Sequence, residues 1–337
     1  MGMRPGLCVL LAISLWPVAL VGQSGTIVRG AGATFPAPIY QKWIASFQAS
    51  SSGLPISYEA VGSEEGVQRL RRGEVDFAAS DILPDKDTQD QLGIETFPAV
   101  AGAVVPAYNI QGLARDLRFT PDLLAGIFLG RITKWNDPRI KELNRGVNLP
   151  TADIVVVHRS DGSGTTYVFS SYLSKANAAW REAVGVGGTL RWPAGQGPAG
   201  QDARGNDGVA DVLTRTPYSI GYLEFIYALR NELSYGAVKN AAGKFVRPDI
   251  DSITSAAKSL AKGEQAADRD AYPIASFTWL LVSSKMPAGE RRERLAAFLD
   301  WAFSSGQREA GALGYVALPA ELANEERSAA ARFKQGH

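Results

Sequence analysis

The feature that most constrains this chain is a junction that it repeats: a short apolar run, then a loop of small and hydroxylated residues, then a helical spacing. Ile154 to Val157 is almost continuously apolar and passes into His158-Arg159-Ser160-Asp161-Gly162-Ser163-Gly164-Thr165-Thr166, after which Tyr167, Val168, Tyr172 and Leu173 fall at helical intervals. An unbroken apolar run is the pattern of a strand buried on both faces. Ile56 to Val61 leads in the same way through Gly62-Ser63 into Glu64 to Arg72, and the chain returns as Val75 to Ala79. Strands that alternate with amphipathic helices predict an α/β fold.

Length sets how many cores those units build. At 337 residues, and about 100 to 200 residues per domain, two lobes are expected rather than one. Lys+Arg 35 against Asp+Glu 34 gives a formal charge of +1, too balanced to attract nucleic acid or an anionic membrane in general. Any anion must be gripped locally. Arg4 precedes an uncharged run from Gly6 to Val21, followed by Gly22, Gln23, Ser24 and Gly25. This reads as a signal peptide over residues 1–23, so export of a cleaved, soluble, monomeric product is expected. Cys8 lies inside that leader, and a cleaved product has no cysteine for a disulfide, although an exported compartment would allow one.

Four segments are candidates for chemistry. Gly30-Ala31-Gly32-Ala33-Thr34-Phe35-Pro36 precedes the periodic set Tyr40, Trp43, Ile44 and Phe47, with Pro36 suited to the first helical position. That leaves Thr34 and Phe35 at an open helix N-terminus, where unpaired N–H groups and the helix dipole suit an anion as well as a plain cap. Ser63 stands at the second junction, placed either to cap its helix or to turn its hydroxyl to a ligand. Asp161-Gly162-Ser163-Gly164-Thr165, directly after Arg159, offers consecutive N–H donors and two hydroxyls, and fits either an anion-cupping loop or a tight turn with a surface Arg159–Asp161 pair. Asp81 closes the run Asp76 to Asp81, a place for a turn acid or a ligand. Pro193 to Gly208, with the turn signal Asn206-Asp207-Gly208, reads as a loop, as does the polar, helix-prone Ala261 to Asp270.

Several signatures are missing. The sequence contains no G-x-x-x-x-G-K-[ST], and Gly162-Ser163-Gly164 is not G-x-S-x-G. His158 and His337 are the sole histidines, which leaves a catalytic triad little choice of base and excludes metal sites of the His/Cys type. Neither a cofactor nor a metal is expected. Trp43 and Trp279 sit in apolar stretches and are expected in the core rather than in a sugar cleft.

Taken together, the segments closely resemble the substrate-binding protein of high-affinity phosphate ABC importers. The resemblance runs from about Gly30 to near Pro319. It is carried by G-A-G-A-T-F-P-A-P-I-Y-Q-K-W at Gly30 to Trp43, V-D-F-A-A-S-D at Val75 to Asp81, F-L-G-R-I-T-K-W-N-D at Phe128 to Asp137 and R-S-D-G-S-G-T-T at Arg159 to Thr166. G-N-D-G at Gly205 to Gly208, I-G-Y-L-E-F at Ile220 to Phe225 and F-L-D-W-A-F at Phe298 to Phe303 complete it. The resemblance implies a two-lobed periplasmic binding protein with a hinge and a central ligand cleft, lobe I from residues 24–104 and 275–337 and lobe II from 105–274. It places phosphate contacts on Thr34, Phe35, Ser63, Asp81, Arg159, Ser163, Gly164 and Thr165, with Asp161 pairing the binding-site arginine. It further implies inorganic phosphate as ligand, permease subunits of an ABC transporter as partners, a periplasmic location and no catalysis.

Two features depart from that pattern. Glu64 and Glu65 stand where the family has small residues and glycine, and both are expected on the solvent side of their helix. The loop Gly195 to Gly205 is longer at the expected cleft rim. The competing readings are a receptor for another oxyanion, against which Asp81 argues, a phosphate-binding surface or signalling protein, and a phosphatase or phosphotransferase on the same scaffold, for which no nucleophile or base is evident.

Overall fold

The computed structural model describes residues 27–113, 116–194, 200–263 and 268–336, together with Gly2. The expected signal peptide falls outside the described residues except for Gly2. The strands in chain order are β1 (Val28–Gly32), β2 (Ile56–Ala60), β3 (Phe77–Ser80), β4 (Ile94–Tyr108), β5 (Arg118–Phe119), β6 (Val155–Arg159), β7 (Gly200–Ala203), β8 (Ser219–Glu224), β9 (Ser234–Tyr235), β10 (Ala237–Lys239), β11 (Phe245–Val246) and β12 (Ala275–Ser283). A large sheet runs in the order β2-β1-β3-β12-β4-β8-β6-β7, with β9 also on β4, and β11-β10-β5 form a small second sheet. The alternation read from the sequence is therefore an α/β fold. β1 is parallel to β2 and β3, and β6 is parallel to β7 and β8.

The two parallel groups are joined by antiparallel pairing through β4, fifteen residues long and buried over nearly its whole length. Its first part pairs with β12 as far as Ala103, and its last five residues, from Val104, pair with β8. At this change of partner the Val104 N–H donates to the Ile274 carbonyl (2.8 Å) and its own carbonyl accepts from the Tyr272 hydroxyl (3.0 Å). Pro98 is tolerated inside β4 because the ladder to β12 shifts register there, between Thr278 and Trp279; a proline, which lacks an N–H, needs such a bulge or an edge.

The parallel strands of the two groups deliver their C-terminal ends to helices, most of them through a short loop. The helices that follow β1, β2 and β6 are Ala37–Ser50, Ser63–Arg71 and Gly164–Ala176. Aromatic side chains fill the spaces behind them: Trp43, Trp135 and Trp180 are fully buried, and Trp43 Nε1 donates to the Gly306 carbonyl at 2.8 Å. Trp43 and Trp279 both belong to the apolar interior, Trp279 at its margin, as their neighbours in sequence predict.

Three local expectations change. Pro36 caps the first helix instead of opening it, and Pro38 takes a first-turn position, where the missing N–H is equally harmless. Pro193 to Gly208 is not a continuous loop among the described residues, since β7 and the start of the helix Gly205–Arg215 lie in it. Asn206-Asp207-Gly208 is the first turn of that helix; Gly205, at φ +70°, makes the bend, and Asn206 is buried rather than turned to solvent. Ala261 ends the helix Ile250–Ala261, and the chain leaves it through Lys262 and Gly263, whose left-handed φ of +71° stops helical propagation.

Candidate anion site

Three helix N-termini converge at the level where β4 changes partner. The open first turn of an α-helix carries N–H groups without intrahelical acceptors and a partial positive charge. Helix Ala37–Ser50 brings Thr34 and Phe35, helix Ser63–Arg71 brings Ser63, and helix Gly164–Ala176 brings Ser163, Gly164 and Thr165. All six residues are buried.

The hydroxyls show how closely the three ends meet. Ser63 makes no cap bond to its own helix, because Gly62 at φ 103° occupies the cap position. Its Oγ instead accepts from the Gly164 N–H at 3.1 Å and from the Asp81 N–H at 3.4 Å. Of the two roles open to Ser63 in the sequence, capping is therefore not the one it takes. Ser163 does cap, accepting from the Thr166 N–H at 3.0 Å. Thr34 Oγ1 accepts from the backbone N–H (3.2 Å) and side-chain amide (2.9 Å) of Asn206, and the same amide reaches Thr165 Oγ1 at 3.1 Å. The carbonyls of Thr34 and Phe35 are held by the hydroxyls of Tyr227 and Tyr315, each at 2.6 Å.

Arg159, at the end of β6, supplies the positive charge. Its side chain is 1% exposed, and its Nε and Nη2 donate side by side to Asp161 at 2.6 and 2.5 Å. Nη1 lies 3.4 Å from Thr165 Oγ1. The pair is thus a buried fork and not the surface contact that the sequence equally allowed. Asp161 also accepts from the Gly205 N–H at 3.1 Å, and its contacts with Arg159 and Gly205 hold its carboxyl below the usual range although burial opposes this. Behind the arginine, the Tyr222 hydroxyl accepts from the Arg159 N–H (3.2 Å) and bonds Thr166 Oγ1 (2.7 Å). Its ring stacks on Phe169 and Trp192, which fixes the floor of the site.

Asp81 is the exception among these satisfied groups. It is 3% exposed; Oδ1 accepts from Thr278 Oγ1 at 2.7 Å, while Oδ2 is buried with no hydrogen-bond partner. Burial pushes its carboxyl up to about 7, against the smaller opposing effects of Thr278 and Arg159. Oδ2 is directed at Gly164, where a Cβ would lie 2.3 Å from it and 2.5 Å from Ser63 Oγ. Only glycine lets the two meet. The structure therefore brings Thr34, Ser63, Asp81, Arg159, Asp161, Ser163, Gly164 and Thr165 into one cluster, with Phe35 next to Thr34.

It also brings in residues that sequence reasoning passed over. Asn206, fully buried, ties Thr34 to Thr165 and accepts from the Glu224 N–H at 2.9 Å; it was visible only as part of a turn signal. Thr278 is a lone hydroxyl in the apolar run Phe277 to Val282, which was its one signal. Glu224 is fully buried, and desolvation holds its carboxyl well above the ordinary range. Glu64 is exposed and Glu65 half-buried, the latter paired with Arg69 and Arg72. The solvent-side placement expected for both holds for Glu65; Glu64, though exposed, reaches away from its helix to Gly162, Gly188 and Thr189. Of the rim loop Gly195 to Gly205, residues 195–199 lie outside the described residues.

An α/β chain with two parallel groups joined through one shared strand, and helix N-termini facing one buried arginine at the joint, defines the class of two-lobed periplasmic binding proteins. The PBP superfamily domain matches residues 19–306. The chain is 40% identical over 324 residues to the phosphate-binding protein PstS of Pasteurella multocida, covering 93% of this chain and 92% of that one. It is 37% identical over 329 residues to the PstS of Methanocaldococcus jannaschii, covering 89% and 84%. Its fold is similar to that of a high-affinity periplasmic phosphate-binding protein (PfluDING) solved with phosphate bound, at a TM-score of 0.72, 23% identity and coverage of 90% and 93%. A phosphate ABC transporter substrate-binding protein from Clostridium perfringens is similar at a TM-score of 0.63, 18% identity and coverage of 87% and 100%. This chain belongs to the phosphate-binding protein PstS family of the PBP superfamily.

Proposed function

We propose that this protein is a receptor that binds inorganic phosphate between its two lobes and delivers it to the permease subunits of an ABC transporter, without catalysis. The observation that carries this reading is Asp81 Oδ2, a buried acceptor with no partner set among donors. A carboxylate beside an anion is repulsive unless a proton lies between them. At neutral pH phosphate retains a proton and sulfate has none, so phosphate can donate to Asp81 where sulfate would set a bare oxygen against it.

The other contacts are neutral or singly charged donors. Thr34, Phe35, Ser63, Gly164 and Thr165 offer hydroxyls and N–H groups from helix N-termini, Ser163 adds the cap of its helix, and Arg159 gives charge-assisted bonds. Asp161 holds the guanidinium in place and balances its charge. A dehydrated site of this kind needs nearly every ligand oxygen satisfied, since an unmade bond costs about 1 to 3 kcal/mol.

Lobe I is residues 24–104 with 275–337, and lobe II is 105–274. The change of partner along β4 at Val104 and the Val104–Ile274 contact support a hinge at those two crossings. Ser63 with Gly164, and Thr34 with Asn206, would then be contacts across the cleft, made on closure. Among the described residues no helix is long and apolar enough to cross a membrane, and we read residues 1–23 as a cleaved leader that sends the chain to the periplasm. The test is calorimetry of the chain from Ser24 onward against phosphate, arsenate, sulfate and molybdate. Saturable phosphate binding with at least thirtyfold preference over sulfate is expected. Tighter sulfate or molybdate binding, or phosphomonoester hydrolysis lost in Ser163→Ala, would overturn the reading.

A further inference from the structure

Glu64 follows Ser63 directly, yet takes no part in the anion cluster. Its backbone N–H donates to the Gly162 carbonyl at 3.2 Å, so the first turn of helix Ser63–Arg71 is fastened to the loop that carries Arg159 and Ser163. Its carboxylate reaches further along the same side, where Oε2 accepts from Thr189 Oγ1 at 3.1 Å. Two glycines make room for it. A Cβ at Gly162 would lie 2.5 Å from Glu64 Oε2, and one at Gly188 would lie 2.4 Å from Oε1. The Gly188 carbonyl accepts from the Ser163 N–H at 3.0 Å, so the segment that holds Thr189 is itself tied to the anion loop.

We propose that Glu64 is a latch across the cleft: its carboxylate, seated on Gly162 and Gly188 and bonded to Thr189, holds the two lobes closed and lengthens the residence time of the bound anion without touching it. The proposal rests on the reading of two lobes that close on phosphate. A contact formed only in the closed state is lost on opening, so it slows release and leaves the encounter with an open cleft largely unaffected. Its negative charge does nothing to attract an anion, so its removal does not slow association. One exposed hydrogen bond to an ionised acceptor is a modest contact, and about a fivefold effect on koff is expected.

The test is stopped-flow binding and release of inorganic phosphate with the full exported chain and the variants Glu64→Ala, Thr189→Val and the pair. Each single change is expected to raise koff about fivefold with kon unchanged or slightly faster, and the pair is expected to release no faster than either single variant. Unchanged koff in both single variants, or effects that multiply in the pair, would overturn the latch while phosphate binding itself stands. If the unmodified chain binds no phosphate, the receptor reading fails and the latch with it. Thermal unfolding without ligand is expected to be the same for all four proteins, and a uniform loss of stability that accounts for the faster release would also refute the proposal.

Discussion

Asp81 and Asp161 turn their carboxylates into the same site and feel the same arginine, but they end in opposite states. Asp161 has two bonds from Arg159 and one from the Gly205 N–H, and is held below its ordinary range. Asp81 has a single bond from Thr278, one oxygen without a partner, and a carboxyl raised to about 7. A carboxylate whose acceptors are filled by the protein is a fixture that positions its cation. One left partly unfilled in a buried site is poised for a donor that comes from outside. The contrast separates a carboxylate whose acceptors are filled by the protein from one with an acceptor unfilled, within one cluster.

The strongest way to break it is to remove the shared arginine. Arg159→Ala leaves Asp161 buried without its partner, which costs about 3 to 5 kcal/mol of stability, and it removes the positive charge from any bound anion. Chemical unfolding is expected to show that loss. Calorimetry is expected to show phosphate and sulfate weakened together, each by more than about a hundredfold. A loss confined to phosphate would place Arg159 outside the contact that both anions share.

The two aspartates also make opposite demands on pH. Asp81 keeps its proton in the folded state up to about 7, whereas its ordinary value is 3.8. Between those values the folded state binds the extra proton, so the stability from this group is full below about 3.8 and is lost as pH rises to about 7. Each unit is worth about 1.4 kcal/mol, so on the order of 4 kcal/mol is at stake. Asp161 acts the other way, since its folded value is depressed: its contribution is present above 3.8 and is lost as pH falls through the folded value. Unfolding of the ligand-free protein from pH 4 to 7 is expected to show a downward component, shared by Asp81, Glu224 and Glu326, whose carboxyls burial raises, that shrinks in Asp81→Asn and is kept in Asp161→Asn. An identical slope in the unmodified chain and Asp81→Asn would contradict the assignment.

A smaller change tests the geometry around the unfilled oxygen. Gly164→Ala adds a methyl group 2.3 Å from Asp81 Oδ2 and 2.5 Å from Ser63 Oγ. Both neighbours are buried, so overpacking is expected to cost about 1 to 3 kcal/mol of stability even in the absence of ligand, despite alanine's better helix propensity. Phosphate binding is expected to weaken by roughly 1 to 3 kcal/mol, or about five- to 150-fold, because the methyl group must be accommodated when the helix ends meet. The double change Glu64→Ser with Glu65→Gly lies at the weak end of the series. Glu65 pairs with Arg69 and Arg72 and Glu64 bonds Thr189 rather than the ligand-facing groups, so affinity is expected to move by less than about tenfold, roughly 1.4 kcal/mol.

What the sequence disclosed was the set of junctions; what it withheld was which groups across the chain would find each other. Arg159, Ser163, Gly164 and Thr165 were legible because they are contiguous and their residue types have few other uses together. Ser63 was legible as a junction, but the direction of its hydroxyl depends on Gly164, 101 residues away. Asp81 was ambiguous for the same reason, since its unfilled oxygen is defined by Gly164 and Thr278 rather than by its own neighbours. Asn206 was read as a turn because Asn-Asp-Gly usually is one. Its place at a buried helix start follows from Thr34 and Thr165, to which no local pattern points. The lobe division had a sequence source only in the resemblance, while the change of partner at Val104 occurs inside one uniformly apolar strand.

The most direct test of the account is the ratio of phosphate to sulfate affinity at pH 8, measured by calorimetry for the unmodified chain and for Asp81→Asn. At that pH the Asp81 carboxyl, raised to about 7, is mostly ionised, and its unfilled oxygen favours the anion that brings a proton. The unmodified chain is expected to prefer phosphate by about thirtyfold to several thousandfold, from roughly 2 to 5 kcal/mol of discrimination. In Asp81→Asn an amide donor takes the place of that acceptor, so sulfate binding is expected to rise, phosphate binding to change less, and the ratio to fall by at least tenfold. An unchanged ratio would show that Asp81 does not face the ligand, and the distinction between the two aspartates would lose its functional meaning.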